Sequence, residues 1–155
     1  MRIAFIGAGH WHRDLYLRPL LDMPGVKVVG VSDPDPVVTD ALSRRLGCEG
    51  DTDPRRLCRR VKPDFGIAVG RHVGMPDEAR FLIAERIPFA IEKPCGLDRR
   101  DVAEIAEAAE RHGVFAAVPL VFRNGAFGGF LRDENARASF QMMSFSFIAG
   151  FPERY

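Results

Sequence analysis

The chain opens with a short apolar run, Ile3-Ala4-Phe5-Ile6, that breaks at once into glycines. Similar strand-sized runs recur at residues 26–31 (VKVVGV), 64–69 (DFGIAV), 88–91 and 114–121. Between them polar and apolar positions alternate with helical spacing. Helices are predicted from about Trp11 to Asp22, kinked or interrupted at Pro19, which lacks an amide hydrogen. Another runs from Pro36 to Leu46, closed by Gly47, and a third extends from its cap at Asp53 through Arg60, with Pro54 in its first position. Residues 76–86 form a fourth. The clearest is 98–112, with Asp98 as N-cap, Asp101 in the first turn, Gly113 past the end, and Val102, Ile105, Ala106 and Ala109 as its apolar stripe. Strands alternating with helices are the signature of βαβ units, so the expected fold class is α/β with a doubly wound, mostly parallel sheet.

The character changes after residue 121. Residues 123–134 are rich in Gly and Phe and read as irregular or weakly helical, and Phe140–Ile148 (FQMMSFSFI) reads as one more strand. The expected division is therefore a first domain over 1–121, and a connector with the beginning of a second α/β domain over 122–155. A lone strand carrying Phe140, Met142, Phe145 and Phe147 cannot satisfy its backbone groups or bury both faces unaided. This predicts a truncated chain or one that relies on a partner, with homo-oligomer formation through the exposed strand as one route.

Composition narrows the function classes. The 155 residues hold one full domain, and the formal charge of +1 is spread without a basic block or acidic tail. Nothing here argues for nucleic acid, and no run is long enough to span a bilayer. No signal peptide is evident, because the first apolar stretch is too short. The three cysteines, Cys48, Cys58 and Cys95, lack metal-ligand spacing and read as free thiols of a cytoplasmic protein.

Three motifs carry chemistry. "GAGHWH" (7–12) follows the first strand and opens a helix. Gly7 allows the tight turn, Gly9 lets backbone amides approach a pyrophosphate, and the helix N-terminus adds unpaired N–H groups. The third glycine of G-x-G-x-x-G is replaced by His12. Asp33 ends the second strand, where a carboxylate accepts hydrogen bonds from the adenosine ribose and repels a 2′-phosphate, favouring NAD over NADP. A plain Asp-Pro turn is the alternative. "EKPCGLD" (92–98) lies at the C-terminal end of a strand, where ligands of open parallel sheets bind. Lys93 there can hydrogen-bond a substrate hydroxyl, with Glu92 orienting it and Pro94 stiffening the turn. An ordinary exposed ion pair is the alternative.

The glycine turn with Trp11, Asp33, Glu92-Lys93-Pro94 before a capped helix, and Arg123 together resemble the N-terminal half of the Gfo/Idh/MocA oxidoreductases. The likeness covers about residues 1–150, and the E-K-P element is its most specific part. Glucose-6-phosphate dehydrogenases have a similar E-K-P-x-G-x-D string. The resemblance implies a Rossmann NAD(P)-binding domain, of which this chain adds only the first strand of the following α/β substrate domain. It implies hydride transfer between a nicotinamide cofactor and a small sugar, inositol or related polyol. It assigns Gly7, Gly9, His10, Trp11, His12, Asp33, Arg71, Glu92 and Lys93 to the cofactor site and Lys93 to catalysis, with Glu92 lining the nicotinamide pocket. It also implies a cis Lys93-Pro94 bond. The proton-exchanging residue is expected in the substrate half.

The chain departs from the family pattern at several points. His12 takes the last glycine's place, Arg71 stands roughly where a proline belongs, Met75 falls near the usual histidine, and Gly125 replaces a proline. Other readings remain open. His10 and His12 would point about 200° apart on a helix, a poor arrangement for one metal ion, and no metal is expected. A non-catalytic NAD(P)-sensing module is the main alternative function, because the family resemblance extends to a fungal galactose repressor that works by binding. A CoA-binding domain is disfavoured by Asp33 and the E-K-P string.

Overall fold

The computed structural model describes residues 1–137 together with Met142 and Ser144. Contacts divide the chain into a first unit, Met1–Pro119, and a second, Leu120–Tyr155. In the first unit the order is β1 (Arg2–Ile6), α1 (Arg13–Asp22), β2 (Lys27–Ser32), α2 (Pro36–Leu46), β3 (Glu49–Asp51), α3 (Pro54–Val61), β4 (Phe65–Ala68), α4 (Met75–Ala84), β5 (Phe89–Ile91), α5 (Arg99–His112) and β6 (Ala116–Ala117). The second unit contributes two described helices, α6 (Val121–Asn124) and α7 (Ala126–Arg137). The stretch expected to be irregular or weakly helical is thus helical. Apart from Met142 and Ser144, the expected strand at 140–148 lies outside the described residues.

The sheet runs β3-β2-β1-β4-β5-β6, and every pair is parallel. Its order reverses between β1 and β4, the switch point at which open α/β sheets bind ligands. β1 shows why both faces must be covered. Ile3 and Phe5 join Val28, Val31, Leu17 of α1 and Leu42 of α2 on one side. Ala4 and Ile6 join Ala79 and Leu82 of α4 and Ile105 of α5 on the other. Alternate side chains of a strand leave on opposite faces, so an apolar run without polar interruption requires helices on both. A smaller cluster fixes α3 through Leu57 and Val61 against Val29.

Capping follows local chemistry. Asp35, Asp53 and Asp98 each accept helix N-terminal amides, with prolines in the first positions of α2 and α3. Gly47 and Gly113 close α2 and α5 in left-handed conformation. α1 continues through Pro19. The strand β3 was not expected, because Glu49-Gly50-Asp51 has no apolar or β-branched side chain; pairing with Gly30–Ser32 makes it an edge strand. The strand expected over 114–121 is reduced to Ala116–Ala117, paired with Phe89 and Ala90. Pro119 has no amide to donate, and Val121 already belongs to α6. Of the expected stripe on α5, Ile105 and Ala109 are buried, whereas Val102 and Ala106 are exposed. None of the helices among the described residues is long and apolar enough to cross a membrane.

Leu57 is fully buried in the small cluster holding α3 to the sheet. Leu57→Ala is expected to lower unfolding free energy by about 2–5 kcal/mol, measured by urea denaturation.

Candidate functional site

The turn after β1 is built by close backbone approach. Gly7 has φ 76°, and a Cβ there would lie 2.5 Å from the Gly70 amide nitrogen, at the end of β4. Only glycine fits both the conformation and the space. The Gly7 and Ala8 amides donate to the Ser32 carbonyl at 2.8 and 3.0 Å, bending the chain over the end of β2. Asp33 completes the contact. Its Oδ2 accepts the Gly9 amide at 2.6 Å, and a Cβ on Gly9 would meet that same oxygen at 2.9 Å. The second glycine thus lets Asp33 reach the turn. Asp33 Oδ1 accepts the Asp35 amide at 3.0 Å, which aims the carboxylate.

His12, in place of the third glycine, turns inward. It is 7% exposed, and its Nδ1 lies 3.0 Å from Glu92 Oε2. Glu92 is 2% exposed and follows β5. The Tyr16 hydroxyl donates to the same Oε2 at 2.5 Å, and the Lys93 amide donates to Oε1 at 2.8 Å. Burial pushes the Glu92 carboxyl up, but the Tyr16 hydroxyl, the Lys93 amide and His12 outweigh it and hold the group below its ordinary value. Burial and the Glu92 hydrogen bond push the Tyr16 phenol well above its ordinary range, so it stays a donor. Tyr16 is the residue that sequence reasoning missed. It stands four positions after His12, hence on the same face of α1, and that spacing was the available signal.

His10 remains at the mouth of the turn. Its Nδ1 accepts the His12 amide at 3.1 Å, a bond that assigns the neutral tautomer with a donor N–H at Nε2. Burial and the nearby His12 lower its pKa, opposed by Glu92, while His72 and Lys93 lower it further. Trp11 is 55% exposed, with its ring centroid 3.6 Å from that of His12. Lys93 is exposed, and the Lys93-Pro94 peptide is cis, as the resemblance implied. After it, Asp98 accepts the Arg100 and Asp101 amides, and Asp101 accepts the Leu97 amide at 2.8 Å, so the loop is fixed from both sides of the α5 cap. Arg71 is exposed, and its carbonyl accepts the Gly74 and Met75 amides at the start of α4. Met75, near the position where the family usually has a histidine, is fully buried core. Among the described residues no group of three or more His, Cys, Asp or Glu side chains is arranged to hold a metal ion.

The sequence pattern of the Gfo/Idh/MocA oxidoreductase family, NAD-binding Rossmann fold, matches residues 1–119. The chain belongs to this family. The first unit is therefore its NAD-binding Rossmann domain. Solved structures of Gfo/Idh/MocA type share the fold. A family oxidoreductase from Vibrio cholerae is 23% identical with a TM-score of 0.75, covering 88% of this chain and 44% of that one. The myo-inositol 2-dehydrogenase from Lactobacillus plantarum is 22% identical with a TM-score of 0.76, covering 88% and 42%. GenD2 from gentamicin A biosynthesis, solved in complex with NAD, is 23% identical with a TM-score of 0.77, covering 90% and 39%. The chain thus spans less than half the length of these relatives. No curated protein matches it.

The Tyr16 hydroxyl binds a buried, ionised carboxylate. Tyr16→Phe is expected to cost about 1.5–3 kcal/mol of stability at neutral pH, read from urea denaturation. Because the Glu92 pKa is depressed in the folded state, its contribution is present above the unfolded value near ~4.3 and is lost as pH falls through the folded one. The penalty of the variant should therefore shrink in acid.

Proposed function

We propose that this chain is the cofactor domain of an NAD-dependent oxidoreductase that moves hydride between a nicotinamide and a hydroxyl-bearing carbon of a sugar, inositol or related polyol. The observation that carries the reading is the buried Glu92 carboxylate, which joins His12 of the dinucleotide turn to the Lys93 backbone across the switch point. The fit to a dinucleotide is supported by the place of the turn, which leads from the end of β1 at the switch point into the N-terminus of α1. Gly7 and Gly9, whose amides are taken by Ser32 and Asp33, would shape the turn beside the pyrophosphate, the His10 Nε2–H would donate to it, and Asp33 would face the adenosine ribose. Trp11 and Arg71, both exposed, border the cofactor, and His12 serves it through Glu92. Hydride exchange is the chemistry the nicotinamide supplies when bound.

The residues of the chain supply position and charge. The backbone of Lys93 is fixed by Glu92, while its side chain extends from the C-terminal end of the sheet. An ammonium there can donate to a substrate hydroxyl and stabilise negative charge as that oxygen gives up its proton. Asp33 disfavours a ribose 2′-phosphate by like-charge repulsion, which makes NAD the preferred cofactor.

Titration with NADH and NADPH tests the cofactor assignment, following energy transfer from Trp11, the chain's single tryptophan. NADH is expected to bind more tightly. Asp33→Asn keeps an oxygen for the Gly9 amide but removes the charge, and should narrow the preference by about tenfold, or ~1.4 kcal/mol. Equal affinity of the wild-type chain for both nucleotides would refute the assignment of Asp33. In a chain that includes a substrate domain, Lys93→Ala should lower kcat by about 10²–10³-fold while leaving NADH affinity nearly unchanged. Unaltered turnover would remove Lys93 from the mechanism and favour a binding module.

A further inference from the structure

Glu78 is acidic in a part of α4 whose neighbours Met75, Pro76, Ala79 and Leu82 are buried. The residue is half-buried, and one oxygen of its carboxyl is withdrawn from solvent. Oε2 is buried and has no hydrogen-bond partner among the described residues. Oε1 lies 2.7 Å from the point that a Cβ on Gly70 would occupy, so the carboxyl fills space left by that glycine. Gly70 in turn is the residue against which Gly7 closes. Glu78 and the turn after β1 therefore pack against the same residue, Gly70.

The charged surroundings offer it no cation. Asp33, at the end of β2, repels it. On its own helix, Asp77 is bonded to Arg80, whose guanidinium also binds Glu104 of α5. The strands β4 and β5, Phe65–Ala68 and Phe89–Ile91, are apolar along their length, and Glu92 beyond β5 is held by His12, Tyr16 and the Lys93 amide. Arg71 and His72, before α4, are exposed, and no salt bridge reaches Glu78 among the described residues. Burial first, and then the Asp33 charge, push its pKa up to about 7. An ionised carboxylate here has one oxygen uncompensated, whereas the neutral acid has only a single O–H to place. A pyrophosphate arriving over the turn adds negative charge and makes ionisation costlier still.

We propose that Glu78 is a component of the cofactor site that enters it as the neutral acid, so that dinucleotide binding is coupled to uptake of a proton at this carboxyl. The inference rests on the cofactor-domain reading above. Its sign is fixed by linkage: affinity is highest where Glu78 is already protonated and falls as pH rises through its titration in the free protein. A separate consequence needs no cofactor. The folded state holds this proton between the unfolded value near ~4.3 and about 7, so stability falls as pH rises across that window.

Calorimetry of NADH binding to the full chain and to Glu78→Gln, between pH 6 and 9 in two buffers of different ionisation heat, tests the coupling. The wild type is expected to take up a proton on binding, with Kd rising by up to about tenfold per pH unit above neutrality. Glu78→Gln should lack that part of the uptake and of the pH dependence. Contributions of His10 and His72 are common to both proteins and cancel in the difference. Urea unfolding supplies the cofactor-free arm, where the variant should gain stability relative to wild type as pH rises from 4.5 to 8. Binding with equal proton uptake in both proteins, or a flat stability difference, overturns the assignment of Glu78 and leaves the cofactor reading standing. Absence of NADH binding to the wild type at every pH overturns the cofactor reading and the coupling with it. If the variant fails to fold, ¹³C-carboxyl titration of the wild type decides. A Glu78 midpoint near neutrality that moves up with NADH supports the coupling, and an ordinary glutamate midpoint ends it.

Discussion

The approach of Gly7 to Gly70 is the constraint on which the site depends. These residues lie just past the ends of two neighbouring parallel strands, β1 and β4, whose connections leave in opposite directions across the sheet. The crevice of a doubly wound sheet opens at that point. With the two backbones this close, the chain after β1 must fold back over Ser32 and Asp33, and space behind Gly70 is left for a side chain from α4. The turn, the seating of Asp33 against it and the placement of Glu78 follow from one steric fact.

A second constraint ties the turn to the far half of the sheet. A carboxylate as buried as Glu92 is costly unless its oxygens are engaged, and three donors engage them. One comes from α1, one from the residue that caps it, and one from the backbone of Lys93. The loss of the last glycine therefore does not open the turn; it converts a helix–strand packing position into a polar link between the start of α1 and the end of β5. The turn and the Lys93 backbone thereby share one carboxylate, a link that a glycine at position 12 could not provide.

The two acids beneath the turn have been set apart by their surroundings. Glu92 has donors and is held below its ordinary value, while Glu78 Oε2 has none among the described residues and the carboxyl is repelled by Asp33. Two glutamates in one fold thus have opposite protonation tendencies for purely local reasons, hydrogen-bond donors in one case and their absence in the other. The domain's relatives share its fold at 22–23% identity and extend well beyond its length. What this chain contributes is accordingly a cofactor platform with its own internal electrostatics.

Much of this was legible along the chain. The apolar runs located β1, β2, β4 and β5, because a strand buried on both faces needs an unbroken apolar sequence. Asp53 and Asp98 lie at helix starts because a short side chain must satisfy free amides there, and that requirement is local. Gly7 and Gly9 marked a tight turn after β1 for a similarly local reason, the close approach of backbone and of Asp33. β3 and the shortness of β6 were not legible, since edge pairing is set by the neighbouring strand and not by the residues that pair. Nor were the partners of His12, Tyr16 and Glu78. His12 and Glu92 are 80 residues apart, and only the order of strands in the sheet brings them together. The sequence by itself determined most of the strands and helices and the glycines that shape the turn after β1. The tertiary structure decided which buried acid finds donors and which does not, because that depends on distances across the sheet that no local pattern encodes.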